Sequence, residues 1–193
     1  MTILINVASN YLNAGKEAKR WGTAHESIVP YEAFKTQNGY ITIGAGSDSQ
    51  FVALCNYLKI PQVAKDPKFI NNEQRVKNRT ELIVLLSEIV AKETSQHWMN
   101  LCSDAPFPIG PINKIDEVFD DPHVQYIELV KTLKHPVGGD VKVVGPPVVF
   151  SDSLNTARTA PPILGQHTDE VLKQILNYDE DKIRTLKNDK IIQ

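Results

Sequence analysis

Apolar positions along this chain change their period several times, and each change marks an element. Ile3, Leu4, Val7, Ala8, Tyr11 and Leu12 recur at three- and four-residue intervals, so the opening segment predicts a helix with one apolar stripe to bury, ended by Gly15. The period then drops to two. "YEAFKT" and "YITIGAG" alternate on either side of Gln37-Asn38-Gly39, and Asn-Gly in that setting predicts a β-hairpin because both residues tolerate positive φ. Ser47 and Gln50 form a capping box ahead of Phe51, Leu54, Cys55 and Leu58, so the second strand passes directly into an amphipathic helix that Ile60-Pro61 closes. After the connector "DPKFINN", residues 73–91 carry the longest helical pattern, with Leu82, Leu85, Leu86, Ile89 and Val90 as its apolar face. Thr94 can cap a shorter helix bearing Trp98, Leu101 and Cys102.

Beyond residue 104 the pattern is weaker. "APFPIGPI" at 105–112 reads as a stiff proline-rich turn, and "NKIDEVFDD" as a short helix. "ELVKTL" and "DVKVV" bracket "KHPVGG", which predicts a second hairpin. The stretch "PPVVFSDSLNTARTAPPILGQ" is irregular and leads to Thr168, a good cap for a helix over Asp169–Leu176 whose first-turn acids complement its dipole. The fold class that follows is α/β, of the α+β-like kind in which β-hairpins pack with amphipathic helices, plus a C-terminal return segment. The expected division is 1–24 as the end of a large-domain helix with its connecting loop, 25–135 as a small α/β domain, and 136–193 as the return segment with terminal helices.

Composition narrows the function classes. The formal net charge is −2, and Lys and Arg alternate with acids along the chain, which leaves no basic footprint for nucleic acid. No apolar run approaches the ~20 residues of a membrane span. The opening residues lack the basic n-region of a secretory signal and the Arg-rich character of a transit peptide. Cys55 and Cys102 stand in apolar helical patterns, the setting of small core residues in a reducing compartment.

Conventional chemistry is sparse. His25, His97, His123, His135 and His167 are scattered singly, with no Cys-x-x-Cys, so no metal site is expected; no Gly-x-Ser-x-Gly marks a nucleophile. "GAGSDS" at 44–49 precedes a capped helix, as a phosphate-binding turn would, but it lacks the rest of the dinucleotide fingerprint, and Asp66 at the ribose offset belongs to an Asp-Pro turn. It is read as a tight strand-to-helix turn. The acid pairs Asp120-Asp121 and Glu180-Asp181 are read as capping and solubility groups, and Arg75, Lys77 and Arg79 as a solvated helix face.

Four segments carry a resemblance: "GTAHESIVPYEAFKTQNGYITIGAGSDSQFVALC" at 22–55, "DPKFINNEQRVKNRTELI" at 66–83, "PFPIGPINKIDEVFDDPHV" at 106–124 and "APPILGQHTDEVL" at 160–172. In that order they resemble the C-terminal half of the class III CoA-transferases of the CaiB/BaiF type, and "KEAKRWGTAHESIVPYEAF" looks closest to the succinate–hydroxymethylglutarate branch. The resemblance implies transfer of CoA from an acyl-CoA, such as succinyl-CoA, to a dicarboxylate such as glutarate or hydroxymethylglutarate, through an aspartyl-CoA intermediate. It implies a homodimer, a CoA thioester as substrate with no permanently bound cofactor, no nucleic-acid or membrane partner, and a mitochondrial or otherwise cytoplasmic location. The family's nucleophilic Asp belongs to a first half that these residues do not match, so no catalytic residue is expected in this chain. Gly22, Thr23, Ala24, His25 and Ser27 occupy the position of the family's substrate-covering loop, and His25 is expected to hydrogen-bond a substrate carboxylate. Two other readings remain: a non-catalytic interaction module built on the small domain, and a CoA-linked racemase of the same superfamily.

Overall fold

Alternation does place a hairpin after residue 30. In the structure, a computed structural model describing residues 4–192, β1 (Tyr31–Lys35) pairs antiparallel with β2 (Tyr40–Gly44), from Tyr31↔Gly44 to Lys35↔Tyr40. Phe34, Ile41 and Ile43 share the buried face, while Tyr31 and Tyr40 stay about half exposed on the other. The turn works differently from the expectation: neither Asn38 nor Gly39 has positive φ. Four residues connect the strands, closed by Thr36 N–H donating to Gly39 O at 2.9 Å. Asn38 Oδ1 instead accepts the Ser95 N–H at 2.9 Å, and the buried Thr36 hydroxyl lies 2.8 Å from Ser95 Oγ. The tip is thus held by a distant helix start as well as by its own closing bond.

The proline-rich "turn" contains a third strand. β3 (Ile109–Pro111) pairs with β2, giving the order β1-β2-β3. Prolines are tolerated because this is an edge strand. Pro108 only accepts, from Gly44 N–H at 2.9 Å, and the flanking Ile112 N–H donates to Tyr40 O at 3.0 Å.

α2 (Asp48–Tyr57) starts with the expected capping box: Gln50 N–H donates to Ser47 Oγ at 3.2 Å, and Ser47 N–H to Gln50 Oε1 at 3.0 Å. Ser47→Ala removes that acceptor and is expected to cost about 1 kcal/mol, read as a lower urea midpoint at unchanged slope. The long helical pattern is two helices, not one. α3 (Asn72–Lys77) and α4 (Arg79–Val90) break at Asn78, whose φ of −103° and ψ of 23° leave the helical region while its Nδ2 donates to Lys68 O and Gln74 O. α5 (Ser95–Leu101) is capped by Thr94 as expected, and its buried Trp98 donates Nε1–H to Val90 O at 2.9 Å.

These elements close one core around Phe34, Ile41, Phe51, Leu54, Leu82 and Leu86. Both cysteines are buried and free. Burial pushes the Cys55 thiol up to about 11 and raises that of Cys102 as well. Neither thiol should react with a disulfide reagent at pH 8 until the chain unfolds; titration of thiols with and without urea checks this.

The first element departs from expectation. α1 (Ile5–Ala14) ends at Gly15, whose φ of 61° supplies the left-handed cap, but it buries no residue: Ile5 is 71% and Leu12 79% exposed. Ile3 of the same stripe lies outside the described residues.

Chain contacts divide the protein into two compact units, Met1–Asn113 and Lys114–Gln193. The second unit contains α6 (Ile115–Asp120), α7 (Pro122–Tyr126), the antiparallel pair β4 (Val130–His135) and β5 (Gly139–Val144), then α8 (Thr168–Gln174) and α9 (Glu180–Asn188). Asp121 caps α7 by accepting from His123 and Val124 N–H. Thr168 is the first residue of α8 rather than its cap; His167 precedes the helix without a side-chain capping bond. Lys173–Glu180 and Lys187–Asp169 ion pairs tie α8 to α9.

Candidate functional site

The segment between Trp21 and β1 is built by polar side chains. Gly22 takes a φ of 63°, which favours glycine, and opens a bend in which Ala24 N–H donates to Trp21 O at 3.1 Å. The bend lies along the free edge of β1: Ala33 N–H donates to Thr23 Oγ1 at 3.1 Å, and His25 N–H to Tyr31 O at 2.9 Å. It thereby occupies strand-edge groups that would otherwise be left for another chain.

From the other side, three residues of α3 and α4 hold the segment's backbone. Asn72 Nδ2 donates to Ser27 O at 2.8 Å while its Oδ1 accepts the Val29 N–H at 3.1 Å. Arg75 donates from Nε to Val29 O at 2.7 Å, from Nη1 to Phe69 O at 3.1 Å and from Nη2 to Asp48 Oδ1 at 2.8 Å. Its guanidinium also lies 4.5 Å from the Phe51 ring centroid and is wholly buried. Arg79 donates from Nη1 to His25 O at 2.9 Å and from Nη2 to Glu26 O, with its guanidinium 4.6 Å from the Trp21 ring centroid.

The reading of Arg75, Lys77 and Arg79 as a solvated face is therefore corrected. Only Lys77 fits it, paired with Glu73 in the open. Arg75 is interior because three acceptors from three separate segments converge on it, which leaves its charge paired and each of its three side-chain nitrogens with a partner. Asn72, Arg75 and Arg79 recur at intervals of three and four, the spacing of one helix face; a polar face of that kind was the available sequence signal, and charge counting passed over it.

Thr23, His25 and Ser27 are exposed and Ala24 is partly so. His25 Nδ1 accepts the Ser27 N–H at 3.1 Å, and its ring meets Tyr31 edge-on at 5.6 Å. Where Nδ1 accepts, the neutral ring carries its proton on Nε2 and offers a donor there, the chemistry a carboxylate needs. Beside Thr23 is an open cleft of about 240 Å³, lined by Tyr31, Glu32, Thr42, Gly44 and Pro108. A Cβ on Gly44 would stand 3.0 Å from the Tyr31 ring, so a side chain there would require the ring to shift. Burial raises the Glu32 carboxyl above its usual range, partly offset by the Arg79 charge. Glu26 moves the other way, held low chiefly by its hydrogen bond from Lys16.

The "GAGSDS" turn is unsuited to an anion. Ser47 and Gln50 already serve the N-terminal groups of α2, and the Asp48 carboxylate stands at that end.

Comparison with known proteins puts these features in a family. The sequence profile of CoA-transferase family III matches residues 1–168. Succinyl-CoA:glutarate CoA-transferase of Mus musculus is 46% identical over 183 residues, covering 95% of this chain and 42% of that protein. The protein of the same name from Homo sapiens is 45% identical with the same coverage. A CAIB/BAIF family protein from Brucella suis, known from its crystal structure, matches with a TM-score of 0.72 and 33% identity, over 88% of this chain and 44% of that one. The chain thus spans about two fifths of the length of the curated relatives it matches. A profile match across most of the sequence and this fold likeness give the same answer: the chain belongs to CoA-transferase family III.

Proposed function

We propose that the protein carrying this chain transfers CoA from an acyl-CoA, with succinyl-CoA the first donor to test, to a free dicarboxylate, with glutarate and hydroxymethylglutarate the first acceptors. The observation that supports this most is the 46% identity, sustained over 95% of the chain, to a protein named for succinyl-CoA and glutarate. An aspartate carboxylate supplied from outside these residues attacks the thioester carbonyl, forming a mixed anhydride and releasing CoA thiolate. The thiolate attacks the aspartyl carbonyl, which frees the donor acid and leaves an aspartyl-CoA thioester. The acceptor carboxylate displaces the thiolate to form a second anhydride, and the thiolate then takes the acyl group, regenerating the aspartate. CoA is a substrate throughout, with no permanently bound cofactor.

Each intermediate is prone to hydrolysis, so water must be kept out while CoA changes partners. In this reading Gly22, Thr23, Ala24, His25 and Ser27 cover the reacting centre, and the Nε2–H of His25 meets the acceptor's free carboxylate. His25→Ala is expected to raise the KM for glutarate about tenfold, since a hydrogen bond to a charged group is worth ~1.5 kcal/mol or more, with little change in stability because the ring is exposed.

The deciding experiment incubates succinyl-CoA and glutarate with the whole protein and, separately, with residues 1–193, and measures glutaryl-CoA by chromatography. Product is expected from the whole protein and none from these residues alone. Transfer by the 193 residues would refute an external nucleophile, and its absence from the whole protein with every dicarboxylate tried would refute the function.

A further inference from the structure

We propose that Arg79 is a positioning residue that latches the substrate-covering loop shut, an inference resting on the function proposed above. The three side chains on the backbone of residues 25–29 differ in kind. Arg75 is wholly buried and joined to three segments, and Asn72 binds both Ser27 O and Val29 N–H, so together they anchor the loop's C-terminal end. Arg79 is only partly buried, and every hydrogen-bond and cation–π partner of its guanidinium among the described residues belongs to residues 21–26: the His25 and Glu26 carbonyls and the Trp21 ring; beyond them its charge is felt by the Glu32 carboxyl.

One guanidinium therefore grips the segment carrying Gly22, Thr23, Ala24 and His25, and letting go requires no disturbance of the core. The rest of the hold on this end is light: a Lys16–Glu26 ion pair whose lysine is exposed, the Thr23 hydroxyl on Ala33 N–H, the edge contact of the His25 ring with Tyr31, and one backbone bond from His25 to Tyr31. The positive φ of Gly22, with nothing within 4 Å of where a Cβ would stand, puts a compliant residue with open space at the start of the segment. Anchor and hinge flank one releasable contact. A methionine at 79 keeps the side-chain length and loses every donor; a lysine keeps the charge but cannot bridge two successive carbonyls from a planar fork.

The test uses Arg79→Met and Arg79→Lys in the whole protein, with Lys77→Ala as a neighbouring control. Hydrogen exchange at amides 22–27 is expected to quicken about tenfold or more in Arg79→Met, the loss of charge-assisted bonds worth at least ~1.4 kcal/mol, while Leu54 and Leu86 amides keep their rates. With succinyl-CoA and glutarate present, the ratio of hydrolysis to transfer should rise by a similar factor, Arg79→Lys should fall between, and Lys77→Ala should match the parent. Unchanged exchange in the loop overturns the latch. Acceleration spread equally over core amides makes Arg79 a general stabilising residue and also overturns it. Faster loop exchange with an unaltered hydrolysis ratio removes its role in the reaction. If the parent protein transfers no CoA, the function fails by itself, and the exchange measurement still decides whether Arg79 holds the loop.

Discussion

Arg75→Met is expected to lower stability by about 2–4 kcal/mol, because two buried carbonyls are left without a donor while the Asp48 carboxylate, 56% exposed, turns to water. The Val29 and Phe69 carbonyls lose their donor, Asp48 loses its cation, and the flexible thioether cannot restore any of the three bonds. At ~2–4 °C per kcal/mol for a chain of this size, the melting midpoint should fall by about 10 °C. Arg75→Lys should recover little, because a point charge with a single nitrogen cannot reach acceptors on Val29, Phe69 and Asp48 at once. Urea unfolding checks both, and a loss below about 1 kcal/mol for the methionine variant would show that Arg75 is not the joint between these segments.

Phe51→Ala should cost a comparable ~3–5 kcal/mol, the range for deleting a core phenylalanine. The ring is 1% exposed and lies under the Arg75 guanidinium, so the substitution opens a cavity and uncovers the buried cation together. Phe51→Leu keeps most of the volume and isolates the second effect. A cycle combining Phe51→Leu with Arg75→Met should give a coupling of about 1–2 kcal/mol, the worth of a desolvated cation–π contact. Additivity within ~0.3 kcal/mol would mean that ring and guanidinium are neighbours without mutual stabilisation.

The contrast between Arg75 and Lys77 shows where sequence reasoning stops. Two residues apart on one short helix, they look alike in any count of charge, yet one is wholly buried and the other pairs in the open with Glu73. What separates them is the arrival of Val29, Phe69 and Asp48, which are 46, 6 and 27 residues away along the chain. Asn38-Gly39 teaches the same lesson in reverse. The hairpin was legible, but its turn is held in part by Ser95, and the positive-φ preference of those two residues goes unused. β3 escaped notice because prolines argue against strands in general, whereas an edge position needs only their carbonyls.

The amino-acid sequence by itself determined whatever depends on near neighbours. The strand alternation of β1 and β2, the Ser47–Gln50 box, the Thr94 cap and the apolar settings of Cys55 and Cys102 all act over a few residues, where spacing and side-chain chemistry suffice. Four motifs in order likewise carried the family. Only the tertiary structure decided that Asn72, Arg75 and Arg79 grip residues 25–29, that the helical run breaks at Asn78, and that the stripe of α1 is left uncovered among the described residues. Those outcomes turn on which distant acceptor or apolar surface reaches a side chain, and burial of a charge is favourable only once its partners have been brought to it.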